Sequence, residues 1–247
     1  MQIIFLGTNG WFDSETGSTI CTLIKCKECN IILDAGYGIY KADTYIDQKK
    51  PTYIFLSHLH IDHIVGLHVL EKFRFAEELK IYTPVNTEVE LKNFLRQPFT
   101  MPLSSLPFKA EIYPALEKFF LPGIKVKTLE LMHSTKCIGY RIQVENKSIV
   151  YCTDTGVCDN IIKLAKQADL LITECALKQD EGLEGWPHLN PIDAANLAKE
   201  SQVRKLVLTH FDAHNYQNKN ERNVAQARAE KIFPAVLSAF DRLELDI

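Results

Sequence analysis

Between positions 56 and 66 the chain reads Leu-Ser-His-Leu-His-Ile-Asp-His-Ile-Val-Gly, which puts His58, His60, Asp62 and His63 within six positions. Imidazole and carboxylate groups hold a divalent metal without redox chemistry, and a metal so held supplies hydroxide near neutral pH. The spacing is not that of the zinc-protease helix, in which two His at i and i+4 flank a Glu. His58 and His60 alternate as in an extended segment. Asp62 and His63 follow where the chain turns, so two of the four could serve one metal and two another. A single buried His is most often a satisfied core residue, and a polar turn can collect such side chains. Neither accounts for four ligands in this order at one place. The first expectation is a metal-dependent hydrolase.

The elements around the cluster say how it is held. Tyr53-Ile54-Phe55-Leu56 is apolar and aromatic and predicts a buried strand over 53–57. The histidines thus sit on the turn leaving a strand, where a rigid element aims a functional loop. Further strands are predicted at 2–7, 19–26, 30–34, 81–83, 124–131, 138–145, 147–152, 170–173 and 205–209. Helices are predicted at 64–79, 84–96 beginning at Pro84, 159–167, 191–201 with Asn190 as N-cap, and 221–239. Residues 97–123 carry five prolines, yet also Phe99, Met101, Phe108, Tyr113, Phe119 and Phe120. Such residues are foreign to a disordered linker. They suggest a packed loop over the site or an oligomer contact. Two strand-rich halves flanked by helices make a layered α/β sandwich, with 1–247 read as one domain.

Bulk properties exclude several classes. A chain of 247 residues with 46% hydrophobic content can bury a large core. A net charge of −3 gives no global nucleic-acid footprint, although a local basic patch is compatible with it. No window of about 20 apolar residues exists, so no membrane span is expected. The N-terminus enters a strand with no basic leader, and the expected location is cytoplasmic. Seven cysteines, an odd number, fit free thiols in a reducing compartment. Cys26 and Cys29 form a Cys-x-x-Cys in a predicted hairpin turn, but no second pair completes a zinc knuckle. Reduced surface and edge thiols are the simpler expectation.

Other potential ligands share the strand-exit address: His133 after strand 124–131, Asp154 after 147–152 and His210 after 205–209. A carboxylate such as Asp154 can bridge two cations held about 3.5–4 Å apart. In its order and spacing of Phe5-Leu6-Gly7-Thr8, Leu33-Asp34-Ala35-Gly36 and the His58–His63 motif, the chain resembles the metallo-β-lactamase superfamily over nearly its full length. The resemblance implies a four-layer αββα sandwich with two divalent metal ions at one edge. It implies that His58, His60 and His133 bind the first metal, that Asp62, His63 and His210 bind the second, and that Asp154 bridges. Zinc suits these donors, and manganese and iron tolerate them.

The text around the ligands narrows the reaction. The family's dizinc lactamases commonly carry Cys where this chain has Asp154, so antibiotic hydrolysis is not expected. His133-Ser134-Thr135-Lys136-Cys137-Ile138-Gly139-Tyr140-Arg141 is unlike the Gly-His-Thr-Pro-Gly of thioesterase and lactonase relatives. It is similar to the phosphodiesterase branch that includes ribonuclease Z, as are Thr153-Asp154-Thr155 and Leu208-Thr209-His210-Phe211. That branch also carries a Glu and a non-ligand His between the bridging Asp and the last His, and Glu174 and His188 occupy that interval. The resemblance then gives His188 a role at the leaving group, with Glu174 orienting it, and lets Asp62 help accept the nucleophile's proton. The match is partial, because Leu189-Asn190 replaces the usual Ser-Thr, and a plain loop histidine is the alternative. His68 and His214 are weaker candidates. A tRNA-clamping arm normally separates the third His from the bridging Asp. Here only 21 positions do, filled by strands 138–145 and 147–152. The expected partner is therefore a small or cyclic phosphodiester rather than tRNA. Competing readings are an armless RNA 3′-processing nuclease, an ester, thioester or lactone hydrolase, and a protein that keeps the fold without turnover. The resemblance and the apolar 97–123 segment are compatible with a homodimer.

Overall fold

In a computed structural model, which describes residues 1–178 and 187–247, two seven-stranded sheets pack face to face. The first contains β1 (Gln2–Gly7), β3 (Cys21–Lys25), β4 (Asn30–Leu33), β5 (Thr52–Phe55), β6 (Leu79–Pro84), β7 (Ala110–Ala115) and β16 (Leu243–Asp246), in the order β16-β1-β3-β4-β5-β6-β7. The second contains β8 (Lys118–Leu121), β9 (Ile124–Glu130), β10 (Ile138–Val144), β11 (Lys147–Cys152), β12 (Leu170–Glu174), β13 (Leu206–Thr209) and β15 (Val236–Ser238), in the order β15-β13-β12-β11-β10-β9-β8. In each sheet one half pairs antiparallel and the other parallel: β4, β5, β6 and β7 in the first, β11, β12, β13 and β15 in the second. Parallel strands are buried on both faces and read as continuous apolar runs. The fully buried β4, β5, β12 and β13 follow that rule. Two short strands, β2 (Asn9–Gly10) and β14 (Phe211–Asp212), pair separately and tie the loop after β1 to the loop after β13.

Three layers of apolar packing make this an αββα sandwich. Phe5, Leu33, Phe55, Tyr140, Tyr151 and Ile172 fill the space between the sheets. Outside the second sheet lie α3 (Asp159–Ala165), α4 (Pro191–Glu200) and α5 (Lys219–Glu230). Outside the first lie two 3₁₀ segments, Tyr37–Thr44 and Val65–Lys72, and α2 (Glu88–Phe94). Among the described residues no helix is long and apolar enough to cross a membrane.

Several predicted elements change. In place of a helix over 64–79 there is a one-turn α1 (Ile61–Ile64) followed by the 3₁₀ segment, and the chain turns extended at Phe73. The buried residues Leu67, Leu70 and Phe73 recur every three positions, the period of a 3₁₀ turn rather than of an α-helix. Pro84 ends β6, paired with Ala115, and so cannot open α2. Asn190 does cap α4, its Oδ1 accepting from Ile192 N at 2.8 Å and Asp193 N at 3.1 Å. The helix predicted over 221–239 starts earlier, behind a capping box of Asn218 and Glu221, and stops at Glu230. Pro234 bars its continuation, and Val236–Ser238 joins the sheet instead. Within segment 97–123, residues 97–109 are irregular apart from a 3₁₀ turn at Leu103–Ser105, the rest forms β7 and β8, the edge strands through which the chain passes from one sheet to the other, and none of it lines the cavity over the His58–His63 motif. Cys26 and Cys29 do close the β3–β4 turn, with Cys26 N donating to Cys29 O at 3.0 Å. They are buried rather than surface thiols, at 7% and 5% exposure. No group of three metal donors among the described residues includes them.

Candidate metal centre

All of the site but His133 comes from the carboxyl ends of parallel strands, the usual address for ligands in open α/β sheets. Beyond β5 the chain bends at Ser57 before His58, is extended at His60 with φ −62° and ψ 148°, and turns into α1 carrying Asp62 and His63. The β9–β10 connection supplies His133, the exit of β11 supplies Asp154, the end of β12 supplies Glu174, and the exit of β13 supplies His210. Asp154 and His210 hold left-handed backbone conformations, φ 53° and 49°. Non-glycine residues persist there only when the surroundings enforce it, and such positions cluster at functional sites.

The predicted ligands converge. Donor atoms of His58, His60, His133 and Asp154 lie within 4.8 Å of one another, as do those of Asp62, His63 and His210. Asp154 belongs to both neighbourhoods. Its Oδ2 is 2.9 Å from His63 Nε2 and 3.1 Å from His210 Nε2, and its Oδ1 is 4.0 Å from His133 Nε2. His58 Nδ1 lies 3.0 Å from Ser57 Oγ, whereas its buried Nε2 has no hydrogen-bond partner among the described residues. A buried nitrogen aimed into a ring of donors and left unpaired fits a metal ligand. His188 adds a third grouping with Glu174 and Asp154.

Charge separates the two clusters. Burial holds the His58, His60 and His133 imidazoles below their ordinary values, His133 at about 4. They are therefore neutral, the form that coordinates a cation. Burial pushes His63 and His210 the same way, but Asp154 and Asp62 outweigh it and raise both. The two carboxylates are in turn lowered against their own burial, Asp62 by His63 and His210, Asp154 by His210 and His63. His188 Nδ1 sits 3.0 Å from both oxygens of the buried Glu174, whose charge overcomes burial and raises His188 to about 9. Glu174 is fixed by amide donors from Thr155 at 2.5 Å and Leu189 at 3.2 Å.

Two supporting residues had no reading of this kind from the sequence. Asp34, also left-handed at φ 53°, accepts from His63 Nδ1 at 2.8 Å, Ser57 N at 2.7 Å, Ser57 Oγ at 2.8 Å and Tyr151 OH at 2.7 Å. It fixes the His63 ring with Nε2 toward the cluster. The Leu33-Asp34-Ala35-Gly36 motif was visible, but not its partners. Trp11 N donates to Asp62 Oδ2 at 2.8 Å, and the exposed Trp11 and Ile61 side chains rim the cavity over the clusters. At Gly10 an added Cβ would come within 2.5 Å of the His210 ring, so only glycine lets that imidazole lie flat against the loop. Of the weaker candidates, His68 stacks on Tyr37 at 6.1 Å. His214 sits in the loop after β14, its amide bonded to Asp212 Oδ1 at 2.8 Å. Neither joins the donor groups among the described residues.

Comparison with known proteins agrees with this architecture. The probable metallo-hydrolase YhfI of Bacillus subtilis is 25% identical over 245 aligned positions, covering 91% of this chain and 93% of its own. Its crystal structure superposes with a TM-score of 0.83 at 22% identity over 99% and 98% of the two chains. Ribonuclease Z of Prochlorococcus marinus (strain AS9601) is 26% identical over 319 positions that span both chains completely. That alignment is longer than this chain of 247 residues, so the relative carries segments that are missing here. Human tRNase Z, short form, has a TM-score of 0.79 at 22% identity, covering 100% and 99%. A diphosphatase from the PhnP family has 0.77 at 17%, covering 100% and 97%. The family model described as "Beta-lactamase superfamily domain" matches residues 29–211, and the chain thus belongs to the metallo-β-lactamase superfamily as one of its metal-binding hydrolases.

Proposed function

We propose that the protein is a dinuclear phosphodiesterase acting on a small or cyclic phosphodiester. The observation that carries this reading is the sharing of Asp154 between two donor clusters with His188 and Glu174 beside it. His58, His60 and His133 would hold one divalent ion and Asp62, His63 and His210 the other, with Asp154 within reach of both groups. Zinc fits the imidazole-rich donor set best, with manganese or iron as alternatives. When bound, such ions lower the pKa of water and neutralise the charge of a diester. Asp62, steered by the Trp11 amide, accepts the proton of the attacking water. His188, kept protonated by Glu174, donates to the departing oxygen.

Substrate size follows from what lies between His133 and Asp154. A plain β10–β11 hairpin fills that interval, turning at Glu145 and Asn146, and leaves no chain for a tRNA-clamping arm. The ribonuclease Z relatives support phosphodiester chemistry, and the shorter chain here supports a compact substrate. The test is hydrolysis of bis(p-nitrophenyl) phosphate by metal-loaded protein beside thioester and lactone panels. Turnover of the diester alone is expected. Turnover of thioester or lactone with an inert diester would overturn the reading.

The His188–Glu174 pair gives a pH prediction for the metal-stripped protein. The folded value near 9 lies above the ordinary value of 6.5. The pair's contribution is therefore complete below about pH 6.5 and is lost as the pH rises through about 9, with roughly 3 kcal/mol as the upper scale. Melting temperatures of wild type and His188→Gln should differ most at pH 6 and converge by about pH 10. A gap that is constant over this range would show that folding leaves the His188 pKa unshifted.

A further inference from the structure

The outer face of the second sheet carries a basic stripe away from the metal centre. Register puts Lys118 of β8 opposite Lys127 of β9, and Lys127 opposite Arg141 of β10. In the next row Phe120 and Gln143 flank Lys125. Lys163 and Lys166, from α3 and its C-terminal end, close the side of the same shallow groove. Arg141 is tied to α3 by donation to Leu164 O at 2.5 Å and Lys166 O at 2.9 Å. The three strand lysines have no carboxylate ion-pair partner among the described residues. Like charges opposite one another across a sheet are destabilising, and this chain concentrates them although its net charge is −3. Lysines commonly protect an edge strand. That accounts for Lys118 on β8, but not for Lys125, Lys127 and Arg141, which lie on strands paired on both sides.

We propose that this face binds single-stranded nucleic acid, with the phosphates along the lysines and a base stacked on Phe120. Phe120 is 72% exposed on the edge strand, opposite Lys125 at the end of the second row. A cationic groove interleaved with an exposed aromatic is the physical signature of single-strand binding. Lys125 and Lys127 are two residues apart, so they advance by about 6.6 Å along the strand, close to one nucleotide step of an extended backbone. A lipid surface would require a raised cluster of apolar side chains, whereas Phe120 is isolated within the groove. The proposal is independent of the reaction, because none of these residues contributes to the donor clusters.

The experiment is fluorescence anisotropy of the full-length protein with a labelled oligouridine of about 12 nucleotides, in a salt series starting at about 50 mM. Binding is expected to weaken at least about tenfold in the Lys125→Glu/Lys127→Glu variant. The log–log salt slope of the Lys125→Ala/Lys127→Ala variant should fall by about 1.4, two phosphate contacts at about 0.7 each for a single strand. Phe120→Ala should weaken binding by about fivefold or more with the salt slope unchanged. Melting temperature and diester hydrolysis should be unaltered in all three variants, which shows that the fold is intact. Absence of binding at the lowest salt would overturn the proposal, as would binding indifferent to both lysine variants. Phe120→Ala without effect, together with equal affinity for heparin or anionic vesicles, would identify a general polyanion surface and overturn it too.

Discussion

Replacing Asp154 by alanine should reduce the metal content from two ions per chain to one or fewer, and diester turnover by about a thousandfold or more. Several kcal/mol of transition-state charge stabilisation is typical for bound metal, and each 1.4 kcal/mol is tenfold in rate. The expectation rests on position. Among the described residues Asp154 is the one carboxylate within reach of His63, His210 and His133 together, and it lies almost wholly buried. Without it the His58–His60–His133 group is left with neutral imidazoles alone. In the other group, Asp62 and the Asp34 that holds His63 Nδ1 must balance His63 and His210, whose raised pKa values depend first on Asp154. Asp154→Asn separates charge from shape, because it keeps the carbonyl oxygen but removes the anion, and it should lose one ion as well. The checks are elemental analysis after dialysis and bis(p-nitrophenyl) phosphate kinetics. Two ions retained with near wild-type turnover would remove the bridging role.

The positions of the candidate ligands were legible because each follows an apolar run that could only be a buried strand. His58, His133, Asp154 and His210 are all found where a strand ends, and the reading of His60 as extended, with Asp62 and His63 on the turn, matches the backbone. Element boundaries were less legible where a local period misled. The Leu67-Leu70-Phe73 spacing of three also fits a helix face at low resolution, and only the 3₁₀ turn shows which period applies. The C-terminal strand β16 and the edge strands β7 and β8 are only partly buried and so lack the continuous apolar run that marks the inner strands, and they are fixed by their partners. Long-range support was illegible for a different reason. Hydrophobic periodicity tells which face of an element is buried, but not which other element it meets. Nothing local links Asp34 to Tyr151, 117 positions away, or the Trp11 amide to Asp62, 51 positions away. Arg222 is a similar case. Fully buried on α5, it donates to Thr8 Oγ1 at 2.7 Å and Ala239 O at 3.1 Å and thereby pins the loop that carries Gly10 and Trp11.

The second large effect is expected at Asp34, which touches no candidate metal position. Its carboxylate accepts four hydrogen bonds in a fully buried setting, from the Ser57 amide on one oxygen and from Ser57 Oγ, His63 Nδ1 and Tyr151 OH on the other. Asparagine has nearly the same shape but only one acceptor oxygen. Whichever way its amide is turned, an N–H₂ faces either the Ser57 amide or the imidazole and phenol donors, and at least one buried donor is left unpaired. Each unsatisfied buried group costs about 1–3 kcal/mol, more where charge is involved, so Asp34→Asn should lower the melting temperature by several degrees. The same change frees the His63 ring, because the acceptor that orients its Nδ1 is lost or weakened. Residues that orient a metal-bound His are typically worth about 10–100-fold in affinity or activity. The loss should fall on the ion held by Asp62, His63 and His210 and spare the other. Competitive chelator titration of wild type and Asp34→Asn separates the two sites. Selective loss of one ion, with the other retained at wild-type affinity, is the expected result. Equal loss of both would mean that Asp34 acts through global stability rather than through His63. Unchanged affinity at both sites would mean that the cluster positions His63 without it.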